Sequence, residues 1–212
     1  MKMYNKIFYT IFLLMFFGAV YSQQVPGKEQ TQSILISNGT IHVGNGDLLE
    51  NAFVGFDNGK INYVSTEQPD MDYEINIDAV NKHIYPGFIA LNTSLGLGEI
   101  DAVRATIDED EIGDFLPHVR SIIAYNAESK VVETLRMNGV LLAQIAPNGG
   151  IISGSSSVVQ LDAWNWEDAV IRYDQGIHLN WPSPYSRSGY SYYRGPSVIK
   201  KSDKYESNVE EI

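Results

Sequence analysis

Apolar and polar positions divide the chain into stretches of different texture. Ile7 to Val20 is apolar except for Thr10 and Gly18, with Lys2 and Lys6 before it and Val20-Tyr21-Ser22 leading into polar Gln23-Gln24. A positive start, a short apolar stretch and a small-residue exit are the three parts of a secretory leader. The run is shorter than the ~20 apolar residues a spanning helix needs. Residues 1–22 are therefore expected to be a signal peptide, with the mature chain exported to a periplasm or secreted. Residues 23–32 are polar and read as a flexible lead-in.

From Ser33 the period becomes two. Ile34, Ile36, Ile41 and Val43 alternate with polar residues around Asn38-Gly39, as in paired strands. Asn51–Asp57 and Lys60–Ser65 are further strand-like runs, separated by Asn58-Gly59. That dipeptide is a strong hairpin signal, because a type I′ turn needs positive φ at both central residues. Tyr73–Ala79 alternates again, so residues 33–83 predict an all-β unit. His83–Leu91 is a near-continuous apolar run, typical of a strand buried on both faces of a parallel sheet. Residues 92–120 read as loop with short turns. Ser121–Met137 predicts a helix capped at Asn126, with Val131, Val132 and Leu135 on its apolar side and Asn138-Gly139 as its stop. Val140–Ala146 is another buried strand. Strand, crossover helix and strand make a βαβ unit. Pro147-Asn148-Gly149-Gly150 breaks the pattern. Ile151–Gln160 reads as a Gly/Ser-rich loop with apolar ends, Trp164–Tyr173 as a short helix, residues 180–196 as an extended loop and Lys201–Ile212 as the start of a helix. The predicted class is α/β with an added β portion.

Composition narrows the possibilities. With 44% hydrophobic residues the chain can build a core. It has no cysteine, which excludes disulfides, thiolate metal sites, a cysteine nucleophile and a lipidated N-terminal cysteine. The formal charge is −11, and loss of Lys2 and Lys6 with the leader makes it more acidic. Nucleic acid is an unsuitable partner, since phosphate contacts need a cationic face. No later stretch is long and apolar enough to predict a stable membrane anchor.

The segments ILISNGTIHVGNG, FVGFDNGKINYV and HIYPGFIALNTSLGLGEIDAVRAT follow one another. Their order resembles the N-terminal half of the amidohydrolase superfamily, in its imidazolonepropionase-like branch. Pro86-Gly87-Phe88-Ile89 matches the start of that family's first barrel strand, and Leu95-Gly96-Leu97 the segment after it. Asn138-Gly139-Val140, and Gly149-Gly150 with Ile152-Ser153-Gly154, resemble later family segments. The resemblance covers about residues 33–180. It implies a β-sandwich built from both chain ends around a metal-binding (β/α)8 barrel. It also implies hydrolysis of carbon–nitrogen bonds other than peptide bonds in a small-molecule substrate, using a divalent metal such as zinc to activate water. On this basis residues 33–83 are a sandwich portion. Residues 84–212 are an incomplete TIM (β/α)8 barrel, holding the first βα units and a loop-rich C-terminal segment.

The family's first barrel strand carries His-x-His, and here those positions are Asn92 and Ser94, with Ala90 at the preceding aspartate position. Side chains two apart on a strand face the same side, but a neutral amide and a hydroxyl are poor zinc ligands. No metal ligand is assigned in this chain, and no catalytic residue. The family's other ligands fall on later strands, beyond Ile212. The expectation is a truncated hydrolase, inactive alone. The alternative is a non-catalytic exported scaffold or binding protein derived from an amidohydrolase. Open strand edges would invite a homo-oligomer. Barrel active sites gather at the C-terminal ends of the strands, so the mouth candidates are Asn92, Ser94, Asp101 and Arg104. His42, His83, His118 and His178 are too far apart in sequence to suggest a ligand pair. Residues 148–157 lack the Gly-Lys-Ser/Thr of a phosphate loop and read as a plain loop. The aromatic second half, with Trp164, Trp166, Trp181, Tyr185, Tyr190, Tyr192 and Tyr193, reads as packing surface or as a sugar- or peptide-binding face.

Overall fold

The computed structural model describes residues 25–100, 102–187, 199–210 and 212. The expected signal peptide, Asp101, Tyr190, Tyr192 and Tyr193 lie outside the described residues. None of the helices described is long and apolar enough to cross a membrane.

The alternating segment forms the first sheet, of five strands. β1 (Ile34–His42) is antiparallel to β2 (Leu48–Asp57), and β3 (Lys60–Ser65) returns along β2. β4 (Ile75–Asp78) and β5 (His83–Ile84) both run parallel to β1. Asn58 and Gly59 have φ of 50° and 70°, as the hairpin signal requires. Ile41, Ala52 and Val54 are buried as a small core, with Ile36, Leu49, Phe56 and Ile84 packed beside it. Residues 25–32 are coil, tied at two points. The Gly27 amide donates to the Asp162 carboxylate (3.0 Å), and the Gly59 amide donates to Gln30 Oε1 (2.7 Å).

The second sheet has the order β6 (Phe88–Thr93), β7 (Val140–Ile145), β8 (Ile152–Gln160) and β9 (Val170–Leu179). β6 and β7 are parallel and joined by a crossover containing helix α1 (Lys130–Met137), the expected βαβ unit. The helix is shorter than the predicted Ser121–Met137, and Ser129 caps it rather than Asn126. Ser129 Oγ accepts from the Val131 amide (3.2 Å), whereas Asn126 Oδ1 accepts from the Glu128 amide (3.0 Å). That local bond competes with helix formation across residues 126–128. Residues Ser121–Ala124 form a separate 3-10 turn. Val132 is fully buried and Leu135 packs on the core, while Val131 is exposed.

Beyond β7 the chain turns back in antiparallel strands, where a loop and a helix were expected. Ile151–Gln160 supplies β8. Trp164–Tyr173 holds only one turn of helix, α2 (Trp166–Ala169), before β9 begins. β8 escaped the sequence pattern because serines occupy both of its faces. Ser153, Ser155, Ser156 and Ser157 are all buried. Burial is tolerated because each hydroxyl is bonded. Ser153 Oγ donates to the Gly149 carbonyl (2.6 Å) and Ser155 Oγ to Asp174 Oδ1 (2.9 Å). Ser156 Oγ accepts from Gln144 Nε2 (3.1 Å) and Ser157 Oγ from the Asp174 amide (3.1 Å). Within the expected 180–196 loop lies β10 (Tyr185–Arg187), antiparallel to β11 (Ile199–Lys201), and α3 (Tyr205–Glu210) follows. The main core lies between α1 and the second sheet, where Val132, Ala143, Ile145 and Val159 are completely buried.

Candidate functional site: a cleft at the strand ends

β6 and β7 finish side by side, with the Ala146 amide donating to the Thr93 carbonyl (2.9 Å). Two crossover segments fold over this end. The Asn148 amide donates to the Glu109 carbonyl (2.6 Å), and Asn148 Nδ2 to Glu109 Oε2 (3.1 Å). Ser121 Oγ donates to the Ile145 carbonyl (3.0 Å). Between them lies a cleft of about 490 Å3, lined by Asp108, Glu109, Asp110 and Glu111 together with His118, Arg120, Ser121 and Pro147. That volume falls in the range of small-molecule sites.

Arg120 is committed to a partner from β9. Its Nε donates to both Asp174 oxygens (3.1 and 2.9 Å), and its Nη2 lies 2.8 Å from Oδ2. The guanidinium also sits 5.8 Å from the Tyr173 ring centroid, within cation–π range. Asp174 occupies a bulge: β8–β9 pairing jumps from Ser156↔Gly176 to Val158↔Arg172, and Asp174 has φ of 46°. The bulge re-aims the carboxylate at Arg120 and Ser155. The hydrogen bond from Arg120 holds the Asp174 carboxyl below its ordinary value, and Ser155 adds to this. The same bond raises Arg120.

Of the mouth candidates, the three that are described, Asn92, Ser94 and Arg104, are not gathered into one site. Asn92 has φ of 49° and is exposed. Pairing steps from Ala90↔Ala143 to Thr93↔Ile145, three residues on β6 against two on β7. The same-face argument for Asn92 and Ser94 needs an unbroken extended strand, and this bulge interrupts it. Ser94 lies in the turn after β6, its carbonyl accepting from the Leu97 amide (2.9 Å). Arg104 holds its own loop, donating to the Ile107 carbonyl (2.6 Å) and pairing with Asp110 (3.2 Å). Both partners are well exposed, so this pair contributes little to stability. Among the described residues, no group of three or more His, Cys, Asp or Glu is placed to hold a metal ion. The end of β6 therefore does not fit the divalent ion that the family resemblance implies.

Arg120, Ser155 and Asp174 were not singled out in the sequence, where His118 was set aside as lacking a nearby histidine. Arg120 and Asp174 are 54 residues apart, and no spacing rule joins them. Tyr125, another group without a sequence signal, is buried with its hydroxyl unpartnered, and burial pushes it up to about 12. Of the aromatic residues, Trp166 packs on the main core, while Trp164, Trp181 and Tyr185 are exposed.

No protein-family model matches the sequence, and no curated protein matches it. Among solved structures, the chain is similar to an amidohydrolase from Thermotoga maritima MSB8, with a TM-score of 0.65 and 24% identity. The alignment covers 71% of this chain and 39% of that protein. It also aligns with a prolidase solved with N-methylphosphonate-L-proline, at 24% identity over 32% of this chain and 17% of that one, with a TM-score of 0.28. The second likeness is too slight to carry an argument. The first shows that the chain has an amidohydrolase-like fold, and that it spans about two fifths of that relative's length.

Proposed function

We propose that this chain is an exported hydrolase scaffold of the amidohydrolase type, in the imidazolonepropionase-like branch. Its chemistry is cleavage of carbon–nitrogen bonds other than peptide bonds in small molecules, and the residues present do not complete the catalytic site alone. One observation carries the reading: the parallel β6–α1–β7 unit beside the five-stranded sheet, in a chain that shares the fold of the T. maritima amidohydrolase. Within residues 84–212, the parallel β6–α1–β7 unit is then the opening of a (β/α)8 barrel, and antiparallel β8 and β9 depart from the barrel pattern expected for the whole span. The exposed face of the second sheet supports this. Ala90 and Ala143 face α1 and the core, so Ile89 and Leu91 take the opposite face, where they are 56% and 71% exposed. In a closed barrel that face fills the interior, and large apolar side chains left in water mark a surface made to be covered. β6 is also a sheet edge, open to pairing with a second copy.

The cleft's four carboxylates suit an uncharged or cationic substrate over an anion. The test is an assay of the purified chain against small linear and cyclic amides, with and without added zinc or manganese. The expected result is no metal-dependent turnover, and saturable metal-dependent hydrolysis overturns the incompleteness. The neutral, left-handed Asn92 favours a second reading, an exported scaffold that has given up catalysis. Binding of such amides, seen as chemical-shift changes at His118 and Ser121, supports the hydrolase reading. A chain that binds none supports the scaffold.

A further inference from the structure

Two histidines come together on the first sheet, one from β1 and one from β5. Parallel pairing sets Thr40 opposite His83 and Ile41 opposite Ile84. Because side chains alternate along a strand, Ile41 and Ile84 point together into the small core. The opposite face carries His42 and His83 as diagonal neighbours. His42 Nε2 lies 3.0 Å from His83 Nδ1, with ring centroids 5.3 Å apart. His42 also stacks on Tyr85, centroid to centroid 4.1 Å with 15° between the planes. Their separation of 41 residues in sequence gave no sign of this pair.

We propose that His42 and His83 form a two-imidazole chelating site for a late first-row divalent metal ion, copper(II) before nickel and zinc, with water completing the coordination. Two imidazole nitrogens in adjacent positions of a tetragonal copper(II) ion, each at about 2.0 Å, lie roughly 2.8 Å apart, and on a tetrahedral zinc ion roughly 3.3 Å apart. The present separation of 3.0 Å falls between the two. Without an ion the two nitrogens share one hydrogen: one ring's N–H donates to the other's lone pair. A neutral imidazole carries a single N–H. Entry of the ion therefore shifts that hydrogen to the other nitrogen of the same ring, and no net proton is lost. His83 is exposed and has room to tilt its lone pair toward the ion, while Tyr85 beneath His42 holds that ring in place. No third His, Cys, Asp or Glu joins the pair among the described residues, so the remaining positions fall to water. Copper(II) binds an imidazole site of given geometry more tightly than nickel or zinc, which sets the order.

The test is copper(II) titration of the untagged full chain, followed by calorimetry and electron paramagnetic resonance. One equivalent should bind with hyperfine coupling to two imidazole nitrogens. His42→Ala and His83→Ala should each weaken binding at least about tenfold, the lower bound for losing even an outer-sphere partner. His118→Ala and His178→Ala should leave it unchanged. A readout free of any variant is imidazole NMR with substoichiometric copper, in which the His42 and His83 signals should broaden first. A double variant H42A/H83A that binds copper like the parent chain overturns the site, as does first broadening at His118 or His178.

Discussion

Ile145 is the most informative position for testing the second sheet. It is fully buried at the end of β7, in the cluster that includes Val132 and Val159. Ile145→Ala removes three carbon atoms, worth about 2.4 kcal/mol of transfer free energy at ~0.8 kcal/mol each. The cavity left behind adds to this, so about 3–4 kcal/mol is expected, inside the 2–5 kcal/mol seen for such truncations. The Ser121 hydroxyl bonds the Ile145 backbone carbonyl and survives the change, so packing alone is measured. In a domain of this size each kcal/mol shifts the midpoint by about 2–4 °C, giving a fall of roughly 6–16 °C. Leu91→Ala is the contrast, since Leu91 is 71% exposed on the other face; it should cost no more than about 0.5 kcal/mol. Urea unfolding reads both as midpoint shifts at constant slope. If Leu91→Ala cost more than Ile145→Ala, the sheet would bury the opposite face and the packing described here would be refuted.

Three further outcomes follow from named contacts. Gly96 has φ of 77°, and an added Cβ would sit 2.6 Å from the Tyr125 ring, whereas Gly59 at 70° has open space around it. Gly59→Ala should cost about 1 kcal/mol from backbone strain and Gly96→Ala clearly more; equal costs in urea unfolding would rule out the close approach. Tyr125→Phe removes a buried hydroxyl without a partner, so it should be neutral or stabilising by up to about 1 kcal/mol. Because burial raises Tyr125 from 10.0 to about 12, stability should decline as pH rises through that window, and the Phe variant should flatten the decline. For Asp174 the direction is reversed. Its carboxyl is held below the ordinary 3.8 by Arg120, so its contribution is present above that value and lost as pH falls through the lower folded one. Asp174→Asn should therefore be modestly less stable at neutral pH, with a shallower acid limb in a pH-dependent melting series.

The first sheet was legible because its strands follow a period of two and its tightest turn is marked by Asn58-Gly59. β6 and β7 were legible as apolar runs, but the expected single strand over His83–Leu91, buried on both faces, is instead divided: His83–Ile84 pair with β1, and β6 leaves Phe88, Ile89 and Leu91 exposed. The resemblance pointed to the fold that the T. maritima amidohydrolase shares. β8 was not, since buried serines on both faces of a strand carry no periodicity, and two of their hydroxyl partners, Asp174 and Gln144, lie 19 and 12 residues away. The cap of α1 falls three residues later than expected, and its start nine later, because Asn126 and Ser129 are both acceptable caps and only the local bond to Glu128 separates them. The geometry at Asn92 was hidden for a different reason: the bulge depends on how β6 registers against β7, which the identity of the residue alone does not reveal. His42 with His83, and Arg120 with Asp174, meet only through strand pairing across tens of residues.

The most direct test of an amidohydrolase-like fold without its metal end is a zinc-soaked crystal of this chain with an anomalous difference map. The predicted result is β6 parallel to β7, β8 and β9 antiparallel beyond it, and no zinc peak within coordinating distance, about 2.0–2.3 Å, of Asn92 or Ser94. A zinc peak held by those two residues, or a sheet in which β6 to β9 all run parallel, would contradict it.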